Sequence, residues 1–208
     1  MRYVALGDSS TEGLDDPYPD GSYRGWADRV ADGLCRRDPA LLYANLAVRG
    51  RLAPEVEAEQ LPAALDLRPD LVTVFAGVND ILRRGYDPER TEDSLFTIMS
   101  ALRQSGAEVV TITAPDLSAI NPVARLVRPR LLDLNTRIRR AASYSGSRVV
   151  DVAVLPEAAD PRLWSTDRLH GSPAGHERIA HAILTSLGDA LAVPTALTPL
   201  NNARRRAT

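Results

Sequence analysis

The sequence contains no lysine; all 25 of its basic residues are arginine. A P-loop needs a lysine on the phosphates, so the stretch GDSSTEG at 7–13 is not a Walker A loop, and no GxGxxG occurs to cradle a dinucleotide. There is one cysteine, Cys35, which excludes an intrachain disulfide. Its setting, ADGLCRRD on an expected helix, predicts a small buried or half-buried residue rather than a reactive thiol. No basic stretch followed by an apolar h-region is present, since the first apolar run, YVAL, leads straight into a turn. The expectation is a cytoplasmic protein. Neither sign of charge dominates: the formal net charge is -2 and the isoelectric point about 5.9, which leaves no positive field to gather nucleic acid or an anionic membrane surface.

At 208 residues and 44% hydrophobic, the chain has the material for one continuous core. A single domain is expected over 1–192, followed by a polar, basic tail over 193–208. Runs rich in Val, Leu, Ile and Thr alternate with stretches of helical period, the pattern of parallel strands joined by crossover helices. Strands are expected at 2–6, 41–48, 71–76, 108–114 and 148–152. Between them, Trp26, Val30 and Leu34 share one helix face, as do Leu131, Leu134, Ile138 and Ala141. The last helix should start at Pro173 with Ser172 as its cap and bury Ile179, Ile183 and Leu187. The fold class that follows is α/β, a three-layer α/β/α sandwich on a five-stranded parallel sheet, with ligands outside the carboxyl ends of the strands. That rule singles out the loops at 7–13, 49–53, 77–87, 115–122 and 164–172.

In the first loop, Gly7 permits a sharp turn that presents Ser9 at the end of a strand. A serine hydroxyl is a weak nucleophile until a base takes its proton, and that base is ordinarily a histidine oriented by a carboxylate. Taken alone, Ser9, Ser10 or Thr11 serves equally as a cap, with Asp8 binding backbone amides. Three histidines are available. His170, in STDRLHGSPAG, has Asp167 three residues upstream, a spacing that lets a carboxylate hold one imidazole nitrogen. His176 and His181 in HERIAH stand about 140° apart on a helix, cannot share a metal from one face, and are assigned to a solvated helix surface. No metal site is expected. Gly50 offers an unobstructed backbone N–H and Asn79 a side-chain amide, the donors that a developing oxyanion needs, although each is also an ordinary turn residue.

These four blocks, GDSS at the first strand, Gly50 after the second, GVND after the third and DRLH before the last helix, occur in an order that resembles the SGNH hydrolases, the superfamily of the GDSL esterases and lipases. The resemblance covers nearly the whole length up to the last helix. It implies a flavodoxin-like fold, Ser9 as nucleophile, His170 as general base, Asp167 as its orienting carboxylate, and an oxyanion hole of the Ser9 N–H, Gly50 and Asn79. It implies no cofactor. Ser10 stands where the family name has leucine, and Gly171 where proline is frequent; neither change removes a reacting atom. An α/β-hydrolase elbow, G-x-S-x-G, is excluded because Thr11 occupies the second glycine position.

The expected activity is hydrolysis of small or short-chain carboxylic esters through an acyl-enzyme, since few aromatics and no long apolar lid argue against an interfacial lipase. The expected partner is a small-molecule ester, without nucleic acid or stable membrane insertion; nothing in the sequence sets the oligomeric state. An acyltransferase or thioesterase on the same triad, or a non-catalytic ligand-binding module, remains the alternative. Arg49 and Arg51 flank Gly50 and are read as solvated rather than as a site for an anionic substrate. Ile120, Val123, Leu126 and Val127 are candidates for a pocket wall or for packing under the sheet.

Overall fold

The structure, a computed structural model, describes residues 1–188; the expected tail at 193–208, and the last residues assigned to the domain, lie outside them. Five strands, β1 (Arg2–Gly7), β2 (Leu42–Asn45), β3 (Leu71–Phe75), β4 (Glu108–Ile112) and β5 (Arg148–Val150), form one parallel sheet in the order β2-β1-β3-β4-β5. β3 is buried along its whole length and β1 from Tyr3 onward, as continuous apolar strands covered on both faces should be. The regular part of β2 stops well before the expected 48. The Asn45 side chain accepts from the Ala47 N–H at 3.1 Å and donates to the Thr11 carbonyl at 2.8 Å, turning the chain locally.

The helices are α1 (Ser9–Glu12), α2 (Gly25–Cys35), α3 (Ala53–Glu55), α4 (Leu61–Asp66), α5 (Val78–Ile81), α6 (Pro88–Gln104), α7 (Pro122–Ser145) and α8 (Pro173–Ser186). α2 packs on α8; α6 packs on α7, with α3 and α4 beside it, giving the two outer layers. α2 buries Trp26, Val30 and Leu34, and α7 buries Leu131, Leu134, Ile138 and Ala141. Cys35, expected to be at least half-buried, is exposed because α2 ends there. α6 has signals of its own: Asp87 caps the Glu89 and Arg90 amides, Pro88 takes the first helical position, and Thr91, Leu95, Ile98 and Leu102 recur on the buried face. No helix among the described residues is long and apolar enough to cross a membrane.

α8 starts as expected, with Ser172 Oγ accepting from the Gly175 N–H. Its buried stripe is rotated from the expected one, running through His176, Ala180 and Ile183. His176 is therefore a core residue, fully buried, and not on a solvated face. Its Nδ1 accepts from the Trp26 N–H at 3.1 Å and its Nε2 donates to the Leu14 carbonyl at 2.9 Å. Both ring nitrogens are satisfied, and burial lowers the ring's pKa and holds it neutral. His181 is half-buried.

The strand order reverses direction at β1, between β1 and β3, where a parallel sheet of this order opens a crevice at its carboxyl edge. All five loops singled out from the sequence border the cleft found there.

Candidate active site

β1 ends in Gly7, whose backbone (φ +155°) and surroundings both demand glycine: a Cβ would lie 2.3 Å from Thr11 Oγ1 and 2.4 Å from the Phe75 carbonyl oxygen. Gln60 grips this residue at both backbone groups. Its Oε1 accepts from the Gly7 N–H and its Nε2 donates to the Gly7 carbonyl, each at 2.9 Å. Gln60 comes from a π-helical segment, Val56–Gln60, that joins α3 to α4, and such segments are frequent at functional sites. The next residue, Asp8, caps α1 through a bond from the Ser10 N–H at 3.1 Å. Ser9 thus becomes the first residue of a helix at a strand end, its hydroxyl turned to the cleft.

Ser9 Oγ lies 2.8 Å from His170 Nε2, and His170 Nδ1 lies 2.7 Å from Asp167 Oδ2. The second oxygen of Asp167 accepts from Ser165 Oγ at 2.6 Å, the Leu169 N–H at 2.8 Å and the His170 N–H at 3.0 Å. Burial alone would raise the Asp167 pKa, but these bonds and the one from the imidazole outweigh it and hold the carboxyl well below its usual range. The loop that carries the pair is fastened by a short bridge between Trp164 and Gly171 and by Asn121, which caps α7 with its oxygen and donates its Nδ2 to the Arg168 carbonyl at 3.0 Å.

Across the cleft, Gly50 sits in a left-handed turn (φ +79°) with open space around it. Asn79 lies in the first turn of α5, after Gly77 at φ +107°. Its Nδ2 donates to Asp8 Oδ2 and to the Arg51 carbonyl, both at 3.1 Å, so both amide hydrogens are engaged. Burial pushes the Asp8 carboxyl up to about 6, against the pull of the Ser10 amide and His170. Asp80, also buried, accepts from the Ala53 N–H and Thr91 Oγ1 and ties the loop after β2 to that after β3. Arg49 is paired with Glu12 (Nη2 to Oε1 at 2.6 Å) and Arg51 with Glu59 (2.9 Å), so neither guanidinium is an uncompensated charge for an anionic ligand.

The cleft has a volume of about 500 Å³ and contains Ser9, Gly50, Asn79 and His170. The rest of its lining is mostly apolar, from Phe75 and Val78 through Ile112 and Leu117 to Val127 and Leu131. Of the four candidates from the 116–129 segment, Val123 and Val127 border it, whereas Ile120 does not and Leu126 projects into solvent at 82% exposure. Among the described residues, one group of carboxylate and imidazole side chains converges closely enough to suggest a cation, Asp15 with Asp167 and His170. The pairing of the imidazole with Ser9 on one side and Asp167 on the other commits both ring nitrogens and leaves none to ligate.

The profile of the GDSL-like lipase/acylhydrolase family matches residues 5–178. The chain belongs to that family. Membership of this acylhydrolase family makes the protein a carboxylic ester hydrolase. The fold has relatives among solved structures: an α/β hydrolase enzyme from the metagenome of Lake Arreo, Spain, is 23% identical with a TM-score of 0.75, over 90% of this chain and 95% of that one. An acetylxylan esterase from Geobacillus stearothermophilus is 18% identical with a TM-score of 0.72, over 90% and 94%. At these identities the likeness is one of fold. No curated protein matches the sequence.

Three residues that hold the elements around the cleft were not singled out from the sequence, Gln60, Asp80 and Asn121, and a fourth, His176, was assigned to a solvated face. Only His176 carried a periodic signal, its spacing of four and seven from Ala180 and Ile183.

Proposed function

We propose that the protein hydrolyses carboxylic esters of aliphatic acids, with Ser9 as nucleophile, His170 as general base and then acid, and Asp167 holding the imidazole. The observation that carries this reading is the chain of short contacts from Ser9 Oγ through the His170 ring to Asp167 Oδ2, at 2.8 and 2.7 Å. Ser9 Oγ attacks the ester carbonyl as its proton passes to His170 Nε2, giving a tetrahedral oxyanion. Collapse breaks the bond to the alcohol oxygen, which takes the proton from His170, and leaves an acyl-Ser9 ester. A water, deprotonated by the same imidazole, attacks that ester and releases the acid and free Ser9.

The oxyanion is received by the backbone N–H groups of Ser9 and Gly50 and by the Asn79 amide. Asn79 must exchange one of its two present bonds for the new one, and the bond to the Arg51 carbonyl is the one to give up. The bond to Asp8 then keeps the amide aimed.

The lining supports aliphatic acyl groups as the substrate class. A cleft of about 500 Å³ lies within the range of small-molecule sites, and its wall is suited to an alkyl chain rather than to a sugar. The short acyl chains expected from the sequence fill part of this space; medium chains fill more of it. We assign the work to a cytoplasmic setting, with no cofactor and no nucleic-acid partner.

A p-nitrophenyl ester series from acetate to palmitate, run on wild type and Ser9→Ala beside fluorophosphonate labelling, tests the proposal. Serine-dependent release, labelling at Ser9 and an optimum above acetate are expected. Replacing Ala124 at the cleft wall by Trp should move that optimum to shorter chains. Absence of both turnover and labelling in folded protein overturns the reading, and transfer to an added alcohol in preference to free acid replaces hydrolase with transferase.

A further inference from the structure

Asp15 stands outside the four motif blocks, yet one of its carboxylate oxygens, an oxygen of Asp167 and a nitrogen of His170 all lie within 4.8 Å of one another. Its backbone is left-handed, at φ +68°. Non-glycine residues seldom occupy that region, although aspartate tolerates it better than most. Among the described residues three non-glycine residues have positive φ, and two of them, Asp15 and Arg168, belong to the segments that meet at His170. Such outliers persist where the surrounding structure holds them, and they collect at functional sites.

The hold on Asp15 comes from both of its neighbours. Leu14 is fastened through its carbonyl to the buried His176 at 2.9 Å. Asp16, itself buried, binds Arg29 through both oxygens at 2.8 and 3.1 Å, and its carbonyl accepts from the Arg24 N–H at 2.8 Å. The turn is anchored on each side of Asp15, which fixes the backbone that presents its exposed carboxylate beside the imidazole.

Building on the triad reading above, we propose that Asp15 is a second carboxylate for His170, a positioning residue that acts through the imidazole. Both ring nitrogens being committed to Ser9 and Asp167, it acts through space: its charge favours the imidazolium that forms when Ser9 gives up its proton. The other ionisable groups facing His170 are Asp8 in the β1–α1 turn, Asp167 in its own loop and His176 of α8, which burial keeps neutral.

The test is a double-mutant cycle, Asp15→Asn in the wild-type and Asp167→Asn backgrounds, with kcat, KM and the acid limb of kcat/KM measured at low and high salt. Asn keeps the size of Asp and its tolerance of the left-handed backbone. A parallel Asp15→Gly variant removes the side chain while relieving the backbone, so an unchanged or raised Tm with the same loss of activity excludes misfolding. A carboxylate at this distance and exposure predicts a fall in kcat of about threefold to tenfold with KM unchanged, and an acid limb moved to lower pH. The loss should be larger once Asp167 is gone, and should shrink at about 1 M salt as the exposed charge is screened.

Unchanged kcat and an unmoved acid limb in both backgrounds overturn the inference. So does an effect on KM alone, which would place Asp15 at the substrate rim. Wild-type turnover abolished by Ser9→Ala shows that the triad reading stands while only this inference falls; turnover indifferent to Ser9 removes both.

Discussion

Ser9 Oγ and His170 Nε2 lie 2.8 Å apart although 161 residues separate them in the chain. The contact needs β1 to end in Gly7, α1 to start at Ser9, and the loop before α8 to fold back on Asp167. If it is the proton path, Ser9→Ala and His170→Ala each reduce kcat to near background without changing Tm by more than a degree or two. Asp167→Asn, which keeps the shape but loses the charge, should cost about 10² to 10⁴ in kcat. Steady-state kinetics on the three variants, with Tm measured beside them, check this; a serine variant that still turns over would remove Ser9 from the mechanism.

On the proposed mechanism, Asn79 supplies a separable part of the same machinery. Asn79→Ala removes one oxyanion donor while leaving the Ser9–His170 contact, and should lower kcat by about 10² to 10³ with little change in KM. Fluorophosphonate labelling of the variant should persist at a reduced rate. An unaltered kcat would show that the amide stays committed to Asp8 and Arg51 throughout the reaction.

The sheet, its crossover helices and the residues that meet at Ser9 were legible in the sequence because each rests on a local pattern: apolar strands, a 3.6-residue stripe, a glycine after a strand, an Asp three residues before a His. What was not legible is long-range. Gln60 looks like any polar residue of a surface helix, and only the three-dimensional structure shows it gripping Gly7, 53 residues away. Asn121 reads as a helix cap, which it is, but its second bond to the His170 loop has no trace in the sequence. His176 was misplaced because its neighbours in HERIAH are polar, and the apolar stripe that it joins was read one position off.

The Gln60 grip has a measurable cost of removal. Gln60→Leu leaves the buried Gly7 N–H without its partner, while the Gly7 carbonyl keeps the Val48 N–H at 3.2 Å, and one such loss is worth about 1 to 3 kcal/mol. Urea unfolding should show a destabilisation of roughly 1 to 3 kcal/mol with an unchanged m-value. The turn ahead of Ser9 should also loosen, so kcat falls along with stability. A variant as stable as wild type would mean that water satisfies the Gly7 N–H equally well.

The last prediction concerns pH, where two buried groups act in opposite senses. His176 has its folded pKa lowered by burial below the usual 6.5. Below about 6.5 the unfolded chain therefore binds the extra proton, and the stability that His176 contributes is lost as pH falls through that window toward its folded value. Asp8 has its folded pKa raised from 3.8 to about 6. Between these values the folded chain binds the extra proton, so on this account stability is gained as pH falls toward 4. The two terms offset each other in the wild type and separate in variants. Subtracting the unfolding free energy of His176→Phe from that of wild type, at half-unit steps from pH 7.5 to 4.5, cancels every carboxylate common to both. The difference should decline on acidification below about pH 6.5, by at most about 1.4 kcal/mol per pH unit for one proton. The same subtraction with Asp8→Asn should run the other way, rising as pH falls from about 6 to 4. A flat His176 difference would mean that the ring takes its proton as readily inside the fold as outside it, which its bonds to the Trp26 N–H and the Leu14 carbonyl forbid unless the turn carrying Leu14 gives way first.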